Sequence, residues 1–508
     1  MDKKANILVI QADQLAASAL SMYGGIAKTP NLDRIAAAGT VFDSFYCNFP
    51  LCGPSRASMM TGQLASRIGV YDNAAEFPTS EPTMAHVMRN AGYRTCLSGK
   101  MHFIGPDQLH GFDERLTADI YPADYAWLTD WDTGQKGFEP MRNTIENGGV
   151  CAWNMQIAFD EDATNRAVAK LYDYARAPAD PFFFFVSLSH PHPPFLMQPE
   201  FWEMYSDDDI PPPRTSAIPA DELDGLSHRC RQMIGLLEDQ VSDEHARLAR
   251  RGYYASISYF DAKVGQIIAA LEMSGLAENT AIFITSDHGE MLGERGLWGK
   301  DCFFDWGAKV PLIVKLPQLS QTQRVTAPAS LLDLLPTFAT MAGQGAQIAP
   351  LDLMGKDLLG LMSDTADTDT ARVFAEYTAD ATGETVVMIR AGSHKYIYAR
   401  GDGEQLYDLR ADPDERENLA DRQPRMIAEF RRDRDRVWDL PATDTAIRSS
   451  QRKRKLVARA LNQGKKPSWD LDPAPDYSEI YVRTANGHEV VDRKIRVPAM
   501  GYEMPRNY

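Results

Sequence analysis

Cysteine is scarce in this sequence, and long apolar runs are missing. Six cysteines, Cys47, Cys52, Cys96, Cys151, Cys230 and Cys302, are scattered over 508 residues. None forms a C-x-x-C pair, which excludes a dithiol redox motif and a cysteine-rich zinc module. The longest strongly apolar stretch, PFFFFVSL at 181–188, is far short of the about 20 residues that span a bilayer. Near the start, the run Ile7–Ile10 is shorter than the roughly 7–15 residues of a secretory core segment. The reading is therefore a cytoplasmic chain without a signal peptide or a membrane partner. Positive charge is also in deficit: 53 Lys and Arg face 70 Asp and Glu, a net charge of −17. Nucleic acid is excluded as a partner, because its phosphates would be repelled. A small anionic substrate is not, since a local cluster of Arg, Lys and metal can reverse the sign inside a cleft. There is no internal repeat and no low-complexity segment.

What is present is a large apolar fraction, 44%, and a regular alternation of elements. NILVIQAD (6–13), YRTCLSGK (93–100), PFFFFVSLSH (181–190), TAIFITSDHG (280–289) and VPLIVKLP (310–317) read as strands. TPNLDRIAAAG (29–39), TMAHVMRNAG (83–92) and the periodic stretch 244–275 read as helices. Strands alternating with helices predict an α/β fold, a large mixed, mostly parallel sheet sandwiched by helices, over residues 1–370. Residues 371–444 change style and predict a small C-terminal antiparallel sheet with a helix. Residues 445–508 turn basic and then Pro-rich. They are expected as an extended tail that packs on the body or on a neighbouring subunit.

Several predicted strands end in reactive residue types: Asp13, Lys100, His190 and His192, Asp287 and His288. In open α/β sheets ligands sit beyond the carboxyl ends of the strands, so these residues are expected to converge. Asp13-Gln14 and Asp287-His288 together offer two carboxylates, an amide oxygen and an imidazole. That is a mixed oxygen and nitrogen site for one divalent cation. An all-oxygen shell would favour Ca²⁺, and the histidine nitrogen moves the preference toward Mn²⁺. Cys52, in FPLCGPSRASMMTG (49–62), admits three readings: a buried structural thiol, a thiolate nucleophile, or the precursor of something else. The nearby acids are expected to raise its thiol pKa unless a metal is bound, which disfavours an ordinary cysteine hydrolase.

Four stretches stand together: CGPSRASMMTG (52–62), GYRTCLSGKMHFIG (92–105), HPHPPF (190–195) and TSDHGEMLGERGLWGK (285–300). The set resembles the type I sulfatases of the alkaline-phosphatase superfamily, over about residues 5–420. GVYDNAAEFP (69–78), GKMHFIGPDQLHGF (99–112), DIYPADY (119–125) and PSWDLDPAPDYSEIYVR (467–483) look most like the choline sulfatases. The resemblance implies an alkaline-phosphatase-like fold and oxidation of Cys52 to formylglycine by a formylglycine-generating enzyme. It implies a metal held by Asp13, Gln14, Asp287, His288 and residue 52, and a homo-oligomer, dimer or tetramer. The Gln/His pattern of the two metal pairs also resembles phosphonate monoester hydrolases of the same superfamily. That makes phosphonate monoester or phosphodiester hydrolysis the alternative activity.

The implied chemistry gives each matched residue a role. The formylglycine aldehyde hydrates to a gem-diol, one hydroxyl of which attacks sulfur. The second hydroxyl then loses its proton, and sulfate leaves as the aldehyde re-forms. An unmodified Ser or Cys has no such exit from the covalent sulfate ester. A nucleophile in the first turn of a helix also sits at the positive end of the dipole. Arg56, one turn on, shares its face and would partner the diol or the metal carboxylates. Lys100 and Lys300 would bind sulfate oxygens. His192 would protonate the leaving oxygen, with His190 as the weaker candidate, and His102 would take the diol proton. For the leaving group, Asn73, Trp127, Trp131 and Glu376 are candidate lining residues, since choline would need aromatic faces and a carboxylate.

Overall fold

The computed structural model describes residues 4–133, 141–178, 180–317, 322–363, 371–465 and 478. Eight strands make the main sheet: β1 (Asn6–Asp13), β2 (Thr40–Phe42), β3 (Arg94–Gly99), β4 (Glu114–Arg115), β5 (Phe182–Pro191), β6 (Thr280–Ser286), β7 (Leu312–Lys315) and β8 (Gln323–Val325). Their spatial order is β8-β2-β7-β6-β1-β5-β3-β4. Among the described strands of this sheet only β7 runs against the others. The expected mostly parallel sheet is therefore present.

Both faces of the sheet are covered, which explains why its central strands read as unbroken apolar runs. Successive side chains of a strand point to opposite faces. Ile7 and Val9 of β1, with Phe183 and Phe185 of β5, enter one core. There they meet α2 (Cys52–Thr61), α3 (Met84–Asn90) and α6 (Leu334–Met341). Leu8 and Ile10, with Phe184 and Val186, enter the other core. It is closed by α1 (Pro30–Ala36), α4 (Met155–Arg176) and α5 (Asp243–Met273). Fully burying one such side chain contributes about 1.5–3 kcal/mol, so a polar substitution at Val9 or Phe184 would break a core rather than a surface.

A second, four-stranded antiparallel sheet follows: β9 (Arg372–Tyr377), β10 (Val386–Ala391), β11 (His394–Ala399) and β12 (Gly403–Asp408). Ile427 and Phe430 of α7 (Pro424–Val437) cover it. Lys395 ties this sheet to the connection between β6 and β7 through the Phe303 carbonyl and Asp305, and Glu415 accepts from the same ammonium.

One expectation fails here. Residues 445–463 are not extended; they belong to α8 (Leu440–Gln463). Its buried face repeats at helical spacing, but three of its five buried side chains are polar: Leu440, Asp444, Ile447, Gln451 and Arg454. A search for an apolar stripe cannot see a helix whose inner face is held by ion pairs. Residues 466–508, except 478, lie outside the described residues, and so does the expectation of a tail reaching a neighbouring subunit.

Candidate active site and metal centre

The site forms where the parallel register brings strand ends level. Asp13 is the cross-strand partner of Pro191, and Ala12 that of Ser286. One edge therefore gathers Asp13-Gln14, the 190–192 turn and Asp287-His288. Lys100 joins them because β3 also pairs with β5. Gly99 (φ 99°) permits this: a Cβ there would lie 1.8 Å from the Ser187 carbonyl oxygen. Gln14 (φ 67°) and His102 (φ 56°) take the left-handed backbone that side chains other than glycine's disfavour.

Cys52 opens α2, all ten residues of which are buried. Its Sγ lies 3.1 Å from His288 Nε2, 3.8 Å from Asp13 Oδ1 and 3.8 Å from Lys300 Nζ. Arg56, on the same helix face, donates from Nε to Asp287 Oδ2 (2.8 Å) and from an η nitrogen to Asp13 Oδ2 (3.2 Å). Its other η nitrogen reaches the Lys100 carbonyl (2.7 Å) and Ser187 Oγ (2.8 Å). Ser55 Oγ donates to the Asp287 carbonyl at 2.6 Å, tying the helix to the second acid pair. Lys100 pairs with Asp13.

Asp13, Cys52, Asp287 and His288 bring four ligand atoms within 4.8 Å of one another, all buried. His288 Nδ1 faces the Gly289 carbonyl at 3.1 Å. A proton held there leaves the Nε2 lone pair free to ligate. Gln14 donates its amide to Glu290 and turns its oxygen outward, 2.6 Å from Lys300 Nζ. Two carboxylates, an imidazole nitrogen, an amide oxygen and residue 52 are a donor set that fits one divalent cation.

The electrostatics are set by neighbours. Burial works against the Asp13 carboxylate, but Lys100, His192, Arg56 and His288 together hold it well below the usual range. Burial and Asp13 push the Cys52 thiol up, yet Lys100, Lys300 and His288 outweigh them and hold it well below its ordinary value. This overturns the expectation that nearby acids raise it; the cations prevail. Burial, and after it Lys300, keep His192 well below an ordinary imidazole, against Asp13. Burial lowers His288, but Asp287 and Cys52 more than compensate, so its pKa is raised.

His192 Nδ1 lies 2.7 Å from the Pro193 carbonyl and 2.9 Å from the Tyr121 hydroxyl, with Gln156 beside it. Tyr121 also presents its ring to Lys100 Nζ at 4.2 Å. Among the described residues His102 has no hydrogen-bond partner on either ring nitrogen; it meets Trp127 edge-on (5.4 Å) and Tyr121 at a tilt (5.6 Å). His190 instead donates from Nδ1 to Asp160 Oδ2 at 2.7 Å and meets Tyr259 edge-on. That ties its Nδ1 to a buried carboxylate on α4.

Of the four leaving-group candidates, only Trp127 stands among these rings. Asn73 accepts from the Gly53 amide at 2.9 Å, at the base of α2. Trp131 is buried under α8, donating to the Ala379 carbonyl. Glu376 is corrected outright as a free cation-binding carboxylate. It is fully buried, and its oxygens accept from Ser66 and from Trp438 Nε1 at 2.6–2.8 Å. Sequence reasoning missed Tyr121, Glu290 and Gln156; Tyr121 stood inside the quoted DIYPADY, but nothing in that string marks it as a partner of His192.

A sulfatase family model matches residues 5–344. This chain belongs to the sulfatase family. A model of the N-sulphoglucosamine sulphohydrolase C-terminal region matches residues 293–433, and one of the choline sulfatase C terminus matches 445–496. The sulfatase is 40% identical to the choline-sulfatase of Rhizobium meliloti (strain 1021), over 97% of this chain and 99% of that one. It is 26% identical to arylsulfatase K of Xenopus laevis, over 87% and 84%. Among solved structures, a phosphonate monoester hydrolase from Silicibacter pomeroyi superposes with a TM-score of 0.68 at 22% identity, over 86% of this chain and 96% of that one; this likeness shows the fold alone. The protein is a sulfuric ester hydrolase with an alkaline-phosphatase-like fold. Among the described residues no helix is long and apolar enough to cross a membrane.

Proposed function

We propose that this sulfatase hydrolyses a small sulfate monoester, choline sulfate first and aryl sulfates as alternatives. The nucleophile is a formylglycine made from Cys52 by a formylglycine-generating enzyme. The observation that carries the reading is the position of residue 52. It stands in the first turn of a buried helix, one of four clustered metal donors and beside the cations Lys100, Lys300 and Arg56.

A divalent ion, Mn²⁺ or Ca²⁺, held by Asp13, Gln14, Asp287, His288 and residue 52 would supply Lewis acidity for the nucleophile and for a sulfate oxygen. Arg56 neutralises both metal carboxylates and fixes the turn. Lys100 and Lys300 balance the charge of the sulfate oxygens. His192 delivers a proton from Nε2 to the leaving oxygen; its Nδ1 contacts to Pro193 and Tyr121 fix the ring. Burial and the two lysines disfavour its charged form in the free site, but the negative charge of a bound sulfate offsets Lys100 and Lys300 and lets Nε2 take up the proton it gives. One hydroxyl of the hydrated aldehyde gives up its proton to solvent and bonds to sulfur as the S–O bond to the alcohol breaks, and the alcohol leaves with the proton from His192. His102, with its unpartnered nitrogens, takes the proton of the second hydroxyl. The C–O bond to sulfate then breaks as the aldehyde returns, so no oxidant or reductant is consumed.

The choline reading is supported by Trp127, whose indole suits a quaternary ammonium, and by the 40% identity to a named choline-sulfatase. A cytoplasmic location and a homo-oligomeric state belong to this proposal. The test is kcat/KM for choline sulfate, p-nitrophenyl sulfate and a phenyl phosphonate ester on one preparation. Sulfate esters are expected to win. Phosphonate turnover higher by orders of magnitude would replace the reading with phosphonate monoester hydrolysis.

A further inference from the structure

Among the described residues the C-terminal helix makes no hydrogen bond or ion pair with the charged residues of the site, yet it reaches the nucleophile turn in three steps. Arg454 of α8 donates both η nitrogens to Asp72, at 2.6 and 2.8 Å. Asp72 is fully buried, and Arg454 is 8% exposed. The same carboxylate accepts from the Ala74 amide at 3.0 Å, which closes the turn 72–74 around Asn73. Asn73 Oδ1 then accepts from the Gly53 amide at 2.9 Å.

That last bond does the work of a helix cap. The first amides of a helix have no partner inside it. Leu51, at the cap position of α2, offers no side-chain acceptor. Pro54 has no amide proton, and the Ser55 amide finds the Leu51 carbonyl at 3.0 Å. The Gly53 amide, next to the nucleophile, is capped from outside the helix by Asn73. The approach is close: a Cβ on Gly53 would lie 2.9 Å from Asn73 Oδ1. On its other side the turn is anchored by Thr378, whose hydroxyl donates to the Tyr71 carbonyl at 2.8 Å.

We propose that Arg454 is a positioning residue for the Cys52 turn, acting through Asp72 and Asn73, so that α8 governs turnover as well as stability. Without the guanidinium, a fully buried carboxylate loses its cation and must protonate or recruit water. Either outcome loosens the turn that aims Asn73, and residue 52 loses its fixed direction toward the metal donors. A misplacement of about 1 Å at a reacting atom costs on the order of 10²-fold in rate. The inference rests on residue 52 being the nucleophile.

The test uses the full chain with Arg454→Met, Arg454→Lys and Arg400→Met. Arg400 pairs with Asp444 of the same helix, so its loss also loosens α8 but leaves the turn alone. The readouts are kcat per mole of converted Cys52, KM, and amide hydrogen exchange of the 50–56 peptide against α5. Arg454→Met should lower kcat per converted site by about tenfold or more with KM within about threefold, and speed exchange only in the first turn of α2. Arg454→Lys, which keeps charge but not the two-pronged geometry, should fall between. Arg400→Met should change neither. Arg454→Met with wild-type kcat, or Arg400→Met with an equal loss, would overturn the proposal. If only Arg454→Lys folds, unchanged first-turn exchange overturns it. Should the wild type fail to hydrolyse any sulfate ester, the activity reading falls, and the exchange comparison still decides this one.

Discussion

The two sides of the site are built on different principles. The nucleophile side is held by charge: Arg56 bridges Asp13 and Asp287, Lys100 pairs with Asp13, and these fully buried groups sit at strand ends or on α2, with the partly buried Lys300 reaching in from a loop. The leaving-group side is a largely half-buried cage of rings, Tyr121, Trp127, His102 and His192, carried on loops and held by ring-to-ring contacts. A buried ion cluster fails as a unit when one member is lost. A cage of rings loses affinity face by face. Rate should therefore depend on the first side, and preference among alcohols on the second.

The strongest way to break this contrast is Asp287→Asn. It removes a metal donor and leaves Arg56 Nε without its carboxylate. Turnover should fall by at least about 10³-fold on every sulfate ester, with metal content by elemental analysis falling in parallel. A loss confined to one ester would merge the two sides.

His192→Gln comes next and stands at the border. Loss of a general acid costs typically about 10²–10⁴-fold. The cost should be greatest for choline sulfate, whose alcohol needs a proton, and smallest for p-nitrophenyl sulfate, whose phenolate leaves unaided. Equal losses on both would remove His192 from that role.

Trp127→Ala and Glu376→Gln sharpen the second side. Trp127→Ala should raise KM for choline sulfate by about tenfold, the worth of one cation–π face, with kcat for p-nitrophenyl sulfate nearly unchanged. Glu376→Gln should leave both KM values alone and lower stability by about 1–3 kcal/mol, read as a thermal shift, because Ser66 and Trp438 lose their charged acceptor.

The effect that leaves both sides of the site untouched is a slope. His110, fully buried against Phe77 and Phe103, has its pKa pushed down to about 4 by burial and His86, with Asp107 opposing. The unfolded chain binds this proton near pH 6.5 and the folded chain does not. Stability from this site is therefore present above about pH 6.5 and is lost as pH falls toward 4, by on the order of 3 kcal/mol. Denaturation midpoints of His110→Gln across that window should lose this part of the slope. An unchanged slope would assign it elsewhere.

The same contrast decided what was legible in the sequence. Asp13, Lys100, Asp287 and His288 could be read because each closes an apolar strand, and parallel strand ends share one edge. Cys52, Arg56 and Ser55 could be read because the motif is local, within one helical turn. The ring cage could not: Tyr121 meets His192 across 71 residues through loops with no periodicity. Glu376 misled, because a lone acid in a strand looks the same whether it faces a ligand or caps Ser66 and Trp438. The helix α8 was hidden for a third reason. Its inner face is Asp444, Gln451 and Arg454, and only their partners, Thr385, the Trp131 amide and Asp72, show that it is an inner face. The direction of the Cys52 shift was misjudged in the same way, since Lys300 arrives from 248 residues away.

The most direct test of the account is mass spectrometry of the peptide holding residue 52, from a preparation whose activity and metal content are known. Conversion to formylglycine lowers its mass by about 18 Da, as the thiol carbon becomes an aldehyde. The account predicts that the converted fraction and the active fraction rise together across preparations. A fully active preparation in which Cys52 remains an unmodified thiol would contradict it.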